Sequence, residues 1–179
     1  MKLTTREMVL VAIIPALMAA TATVSIPLGA LPAITLQTMF VFIAGLLLRK
    51  DLAFLSMVVY IVLGVIGLPV FAGGTGGAGI ILGPTGGFII AFPIAAYLTS
   101  VFKHVIILNN EYISLFGLMF IINLIIYMIG GSYFMYSLDW NLLSTVALFG
   151  TYIPGDILKI IAAIYVYVNI RSHVTYEHS

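Results

Sequence analysis

The chain contains no cysteine, which excludes disulfides, thiolate metal ligands and a thiol nucleophile. Charge is nearly as scarce. Asp, Glu, Lys and Arg make up 7% of the 179 residues, against about 25% in soluble domains. A net charge of +1 supplies no basic field for nucleic acid, so no nucleic-acid partner is expected. The three histidines, His104, His173 and His178, fall near chain turns or the tail, far from the stretches that carry the other polar residues. Neither a metal site nor a nucleophile–base pair is expected from them, and no catalytic residue is assigned.

What fills the chain instead is apolar: 63% of residues are hydrophobic, and the mean hydropathy is +1.23. These values predict an all-α integral membrane protein. The length accommodates about six spans of ~20 residues in a single membrane-embedded domain, 1–179. Apolar windows between polar or Pro/Gly punctuation place the spans near 6–26, 36–48, 52–68, 86–106, 112–135 and 154–171. The first apolar run follows Lys2 and Arg6 in signal-peptide charge order. It is too long for a signal core and is read as the first span.

Orientation follows from the cations. With the N-terminus inside, Lys2, Arg6, Arg49, Lys50, Lys103 and Arg171 all fall on the cytoplasmic side, leaving Lys159 within a span. Both termini are then cytoplasmic and the cell membrane is crossed several times. The 27–35 connection, the glycine-rich loop within 64–92 and the 136–153 connection face outward. Irregular backbone at membrane depth must be covered by protein or face a water-filled cavity. The expected architecture is therefore a six-transmembrane-helix bundle with a substrate pocket capped by extracellular loops.

The glycine-rich stretch carries no charge. Its GxGxxG match, Gly74 to Gly79, has no βαβ context and no acidic ribose partner, and the P-loop lysine is missing, so phosphate binding is set aside. Thr75 is the polar side chain inside the glycine cluster and a candidate ligand contact. Pro154-Gly155-Asp156-Ile157-Leu158-Lys159 opens the sixth span, with Pro154 in the first turn and Asp156 favoured by the helix dipole. Lys159, three residues on, shares its face. The pair reads either as a self-neutralising bridge or as a ligand clamp, with Lys159 on an anion and Asp156 accepting ligand N–H groups. Gln37 offers an amide at the outer start of the second span, next to Thr35 as a cap. Asn123 and Tyr127 share a face of the fifth span, and Tyr133, Tyr136, Trp140 and Tyr152 read mostly as an interfacial belt. Ala12, Ala16 and Ala20 form a small-residue stripe on the first span, suited to internal packing or to a partner membrane subunit.

Five motifs in order, Thr35-Leu36-Gln37, Gly67-Leu68-Pro69-Val70-Phe71 with Gly73 to Gly77, Gly83-Pro84-Thr85-Gly86-Gly87-Phe88, Tyr127-Met128-Ile129-Gly130 and Pro154 to Lys159, resemble the BioY family. These are biotin-specific substrate-binding (S) components of energy-coupling factor (ECF) transporters. The resemblance implies six helices, biotin held near the outer surface as substrate rather than cofactor, and association with a transmembrane T subunit and two cytoplasmic ATPases. It implies Asp156 and Lys159 as polar anchors and the 73–87 loop closing over the ligand. The substrate-binding set is then Gln37, Phe71, Gly74, Thr75, Gly77, Pro84, Thr85, Gly86, Tyr127, Asp156 and Lys159, with Ala12, Ala16 and Ala20 resembling the partner-docking face. Tyr133 departs from the family, standing near the place of an expected tryptophan. The rival readings are a solitary, oligomeric biotin facilitator, or a membrane protein of another class such as a lipid-modifying enzyme or structural bundle.

Overall fold

The structure is a computed structural model, and it describes residues 3–28, 31–105 and 110–174. Among these the chain is mostly helical: α1 (Thr5–Ala20), α2 (Gln37–Leu47), α3 (Lys50–Val65), a short α4 (Ala78–Leu82), α5 (Gly86–Phe102), α6 (Glu111–Leu138) and α7 (Leu142–Val174). Two helices, Glu111–Leu138 and Leu142–Arg171, are long and apolar enough to cross a membrane by themselves. The remaining long helices are shorter. An 11-residue α2 extends only about 16 Å at 1.5 Å per residue, well under a ~30 Å hydrocarbon core.

That shortness explains the centre of the fold. Phe40 to Leu46 of α2 are buried on every side, as expected of a helix that is apolar all round and surrounded by others. It crosses α5 closely at Gly45, where a β-carbon would lie 2.7 Å from the Ala96 carbonyl oxygen. The C-terminal carbonyls of α2, which have no partner within the helix, are gathered by one cation. Lys103 Nζ donates to Gly45 O at 3.3 Å, Leu46 O at 2.8 Å and Leu48 O at 3.0 Å. Ser100 Oγ adds a 2.7 Å bond to Leu48 O.

α1 begins with a capping box: Glu7 N donates to Thr4 Oγ1 at 3.2 Å, and Thr4 N donates back to Glu7 Oε2 at 2.9 Å. Ser56 Oγ on α3 reaches Val11 O on α1 at 2.9 Å, which fastens those two helices together.

Three connections gather at the opposite end of the bundle from Lys103, and the first and third depart from their expected form. The first is an antiparallel hairpin, β1 (Ser25–Leu28) with β2 (Leu31–Thr35), rather than an irregular loop. Pro27 and Pro32 forbid helix but are tolerated in a two-stranded ribbon, where each strand has an unpaired edge. The second connection, 66–85, is built of tight turns. Gly67, Gly73, Gly74 and Gly77 all have positive φ. Gly73 N donates to Ala22 O at 2.8 Å and Gly77 N to Gly64 O at 2.7 Å, so the loop is tied to the ends of α1 and α3.

The third is a correction. The expected 136–153 connection is almost entirely helical, and only Asp139–Asn141 separates α6 from α7. Asp139 takes the left-handed conformation, with φ of 50°, and Asn141 Oδ1 accepts from Ser144 N at 2.8 Å to start α7. Pro154 and Asp156 therefore sit inside α7, not in its first turn, so a helix-start dipole does not stabilise Asp156. Proline in an apolar helix forfeits one backbone bond, and neighbouring protein makes that tolerable.

Candidate functional site

A cavity of about 510 Å³ lies at the loop end, between α2, α5, α6 and α7 and beneath the hairpin and the 66–85 connection. Its walls are mainly apolar. Tyr127 stacks on Phe149 with ring centres 4.9 Å apart, and Phe88 meets Phe149 edge-on at 5.6 Å. Phe71 is fully buried and contacts Tyr60 edge-on at 5.5 Å. A β-carbon on Gly64 would fall 2.0 Å from the Phe71 ring, so glycine at 64 is what lets that ring seat.

One polar cluster interrupts the apolar lining. Lys159 Nζ lies 2.7 Å from Asp156 Oδ1 and donates to Thr38 Oγ1 at 3.2 Å. The other carboxylate oxygen accepts from Asn123 Nδ2 at 3.0 Å and from the Tyr127 hydroxyl. Asp156 and Lys159 are both largely buried, so the pair must hold its charge by mutual attraction and these bonds. The ammonium has three donors, and Asp156 and Thr38 take two of them. The third is what the site can offer an anionic group of a ligand.

Gln37 is fixed separately. Its Nε2 donates to Tyr60 Oη at 2.6 Å, Tyr60 Oη donates to Val70 O at 3.1 Å, and Thr35 Oγ1 stands 3.5 Å from Gln37 Oε1. The hairpin is tied down by Tyr152, whose hydroxyl donates to Pro32 O at 2.5 Å.

Of the expected contact residues, Gln37, Phe71, Thr75, Pro84, Thr85, Tyr127, Asp156 and Lys159 line this one cavity. Gly74, Gly77 and Gly86 do not. They shape the loop: Gly74 and Gly77 by positive φ, and Gly86 by packing where a β-carbon would sit 1.8 Å from Ile81 O. Thr38, Phe88, Phe149 and Tyr152 line the cavity without having been expected to. Tyr152 is buried here and is not part of an interfacial belt, whereas Tyr136 is 84% exposed. A helical reading of 142–153 reveals the missing pair, because 149, 152, 156 and 159 recur at helical spacing on one face. Tyr133, the departure from the family pattern, donates to Leu82 O at 3.2 Å and joins α6 to α4.

Ala12, Ala16 and Ala20 are exposed on α1, on a side not covered by the rest of the described chain. His104 is exposed at the far end of the bundle, and the side chains of His173 and His178 lie outside the described residues. Among the described residues no cluster of metal-binding side chains occurs.

The model of the BioY family matches residues 1–176. A probable biotin transporter BioY of Pyrococcus horikoshii is 46% identical over 125 residues, 70% of this chain and 72% of the relative. The biotin transporter BioY2 of Lactococcus lactis is 35% identical over 162 residues, covering 89% and 85%. Among solved structures, the S-component for biotin from an ECF-type ABC transporter aligns with a TM-score of 0.79 at 28% identity, covering 96% of this chain and 95% of that one. The relatives so named are transporters rather than enzymes.

Proposed function

Because the chain belongs to the BioY family, we propose that it is the biotin-binding S component of an ECF-type uptake system, capturing biotin at the outer face and delivering it inward. The single observation that carries this reading is the composition of the cavity. A mostly apolar chamber of about 510 Å³ holds one ammonium, one carboxylate and one amide, with an aromatic wall. Biotin pairs a carboxylate and a hydrogen-bonding ureido group with an apolar thioether ring, and a few convergent polar groups in a greasy pocket suit such a molecule. Lys159 and Asp156 are its polar anchors, the hairpin and the 66–85 connection its cover.

In this reading the helices form one six-span bundle, with the cavity outside and the Lys103 end in the cytoplasm, an orientation the cation distribution supports. The exposed alanine stripe of α1 is the docking face for a T subunit, which brings two ATPases. The sequence contains no P-loop motif, so uphill transport needs that outside source of energy.

Titration calorimetry of the purified chain with biotin tests the binding role, and saturable binding is the expected result. No heat with biotin, and no biotin co-purifying, overturns it. Uptake by cells expressing the chain alone, compared with cells also given the ATPase module, tests the coupling. Equal uptake in both points to a solitary facilitator.

A further inference from the structure

Gln37 carries the one amide side chain lining the cavity among the described residues. An amide donates at one end and accepts at the other, so the end that faces a ligand decides which ligand group it can meet. Three buried atoms fix that choice. The Val70 carbonyl can only accept, and Tyr60 Oη, 3.1 Å away, supplies its single proton there. The phenol oxygen is then left with lone pairs alone. Whatever faces it at 2.6 Å must donate, and Gln37 Nε2 does. Tyr60 is fully buried and Val70 nearly so. Reversing the amide would press two oxygens together, or strip the Val70 carbonyl of this bond, and a buried group left unsatisfied is costly. Gln37 Oε1, which accepts a long 3.5 Å bond from Thr35 Oγ1, keeps a second lone pair for a ligand, while the nitrogen end, with its two N–H groups, is the one held at Tyr60.

We infer that Tyr60 is a positioning residue: the Val70–Tyr60 chain locks Gln37 so that it shows the cavity an acceptor, which selects for an N–H on the transported molecule. The inference rests on the biotin reading, in which that N–H belongs to the ureido ring.

A double-mutant cycle with biotin as probe tests it, using wild type, Tyr60→Phe, Gln37→Ala and the double variant of the full chain. Tyr60→Phe keeps the ring and its packing. It should weaken biotin binding about fivefold, the worth of roughly one hydrogen bond. In the Gln37→Ala background the same change should have no effect. Equal losses in both backgrounds, or no loss in either, overturn the inference, since a purely structural tyrosine cannot sense residue 37. In a second arm, biotin is methylated at one or the other ureido nitrogen. One of the two methyl derivatives should lose affinity for wild type, with a smaller penalty on Gln37→Ala, and penalties independent of residue 37 overturn the acceptor assignment even if Tyr60→Phe is too unstable to measure. Wild type that fails to bind biotin at all refutes the underlying function instead.

Discussion

The Tyr152 hydroxyl on α7 donates to the Pro32 carbonyl on β2 at 2.5 Å, joining residues 120 positions apart across the mouth of the cavity. Tyr152 and Pro32 both line the cavity, so this bond links its wall to its cover. Tyr152→Phe removes the bond and leaves the ring. Biotin should then both enter and leave several-fold faster, with a small change in affinity, because a net hydrogen bond is worth about 0.5–1.5 kcal/mol. Stopped-flow binding checks this, and unaltered rates would show that the hairpin is held by other contacts.

Lys159→Ala leaves Asp156 buried with its two α6 donors but no cation, and Asp156→Asn leaves Lys159 without its carboxylate. Breaking one side of a buried pair typically costs about 3–5 kcal/mol, shared between folding and binding. Each variant should bind biotin at least about tenfold more weakly, equivalent to about 1.4 kcal/mol. Calorimetric titration measures the loss, and wild-type affinity in both would remove the pair from the site.

Ala16 is exposed on α1, remote from the cavity lining. Ala16→Leu should leave biotin binding unchanged while uptake falls, since a bulky side chain keeps another helix at a distance. Binding and uptake are measured on the same preparation of cells. Undiminished uptake would mean that the stripe does not meet a partner.

Lys103 bonds three carbonyls at the end of α2 from outside that helix. Lys103→Met retains the stem but offers no donor, leaving those oxygens to water or to Ser100 alone. Hydrogen bonds from a charged group contribute about 1.5–3 kcal/mol, so the thermal midpoint should drop by several degrees. Biotin affinity measured well below that midpoint should stay as in wild type. A thermal scan in detergent decides the first part and calorimetry the second.

The helices were legible wherever hydrophobic runs ended in charge or glycine, as at Arg49-Lys50-Asp51 between α2 and α3. The stretch 136–153 reads as a connection because Asp139, Asn141, Thr145, Thr151 and Pro154 look like loop residues one at a time. Three of those side chains bond within the turn or helix instead: Asn141 to Ser144 N, Thr145 to Asn141 O and Thr151 to Leu148 O. Polar letters thus hid a helix that satisfies them locally. The charged end of the cavity was readable from Asp156 and Lys159, since buried ionisable residues in an apolar chain have few places to go, whereas Gly74, Gly77 and Gly86 shape the loop and do not line the cavity. Its aromatic wall was not, because Phe88 and Phe149 are two of 11 phenylalanines and nothing in the letters alone marks which face inward.

Pro154 has no amide proton, so the rung that would run from it to the Gly150 carbonyl is missing from α7. The gap falls between Tyr152, which is bonded to the hairpin, and Asp156 with Lys159, which line the cavity. One helix therefore carries, on either side of that missing rung, both the anchor of the hairpin and the charges that line the cavity.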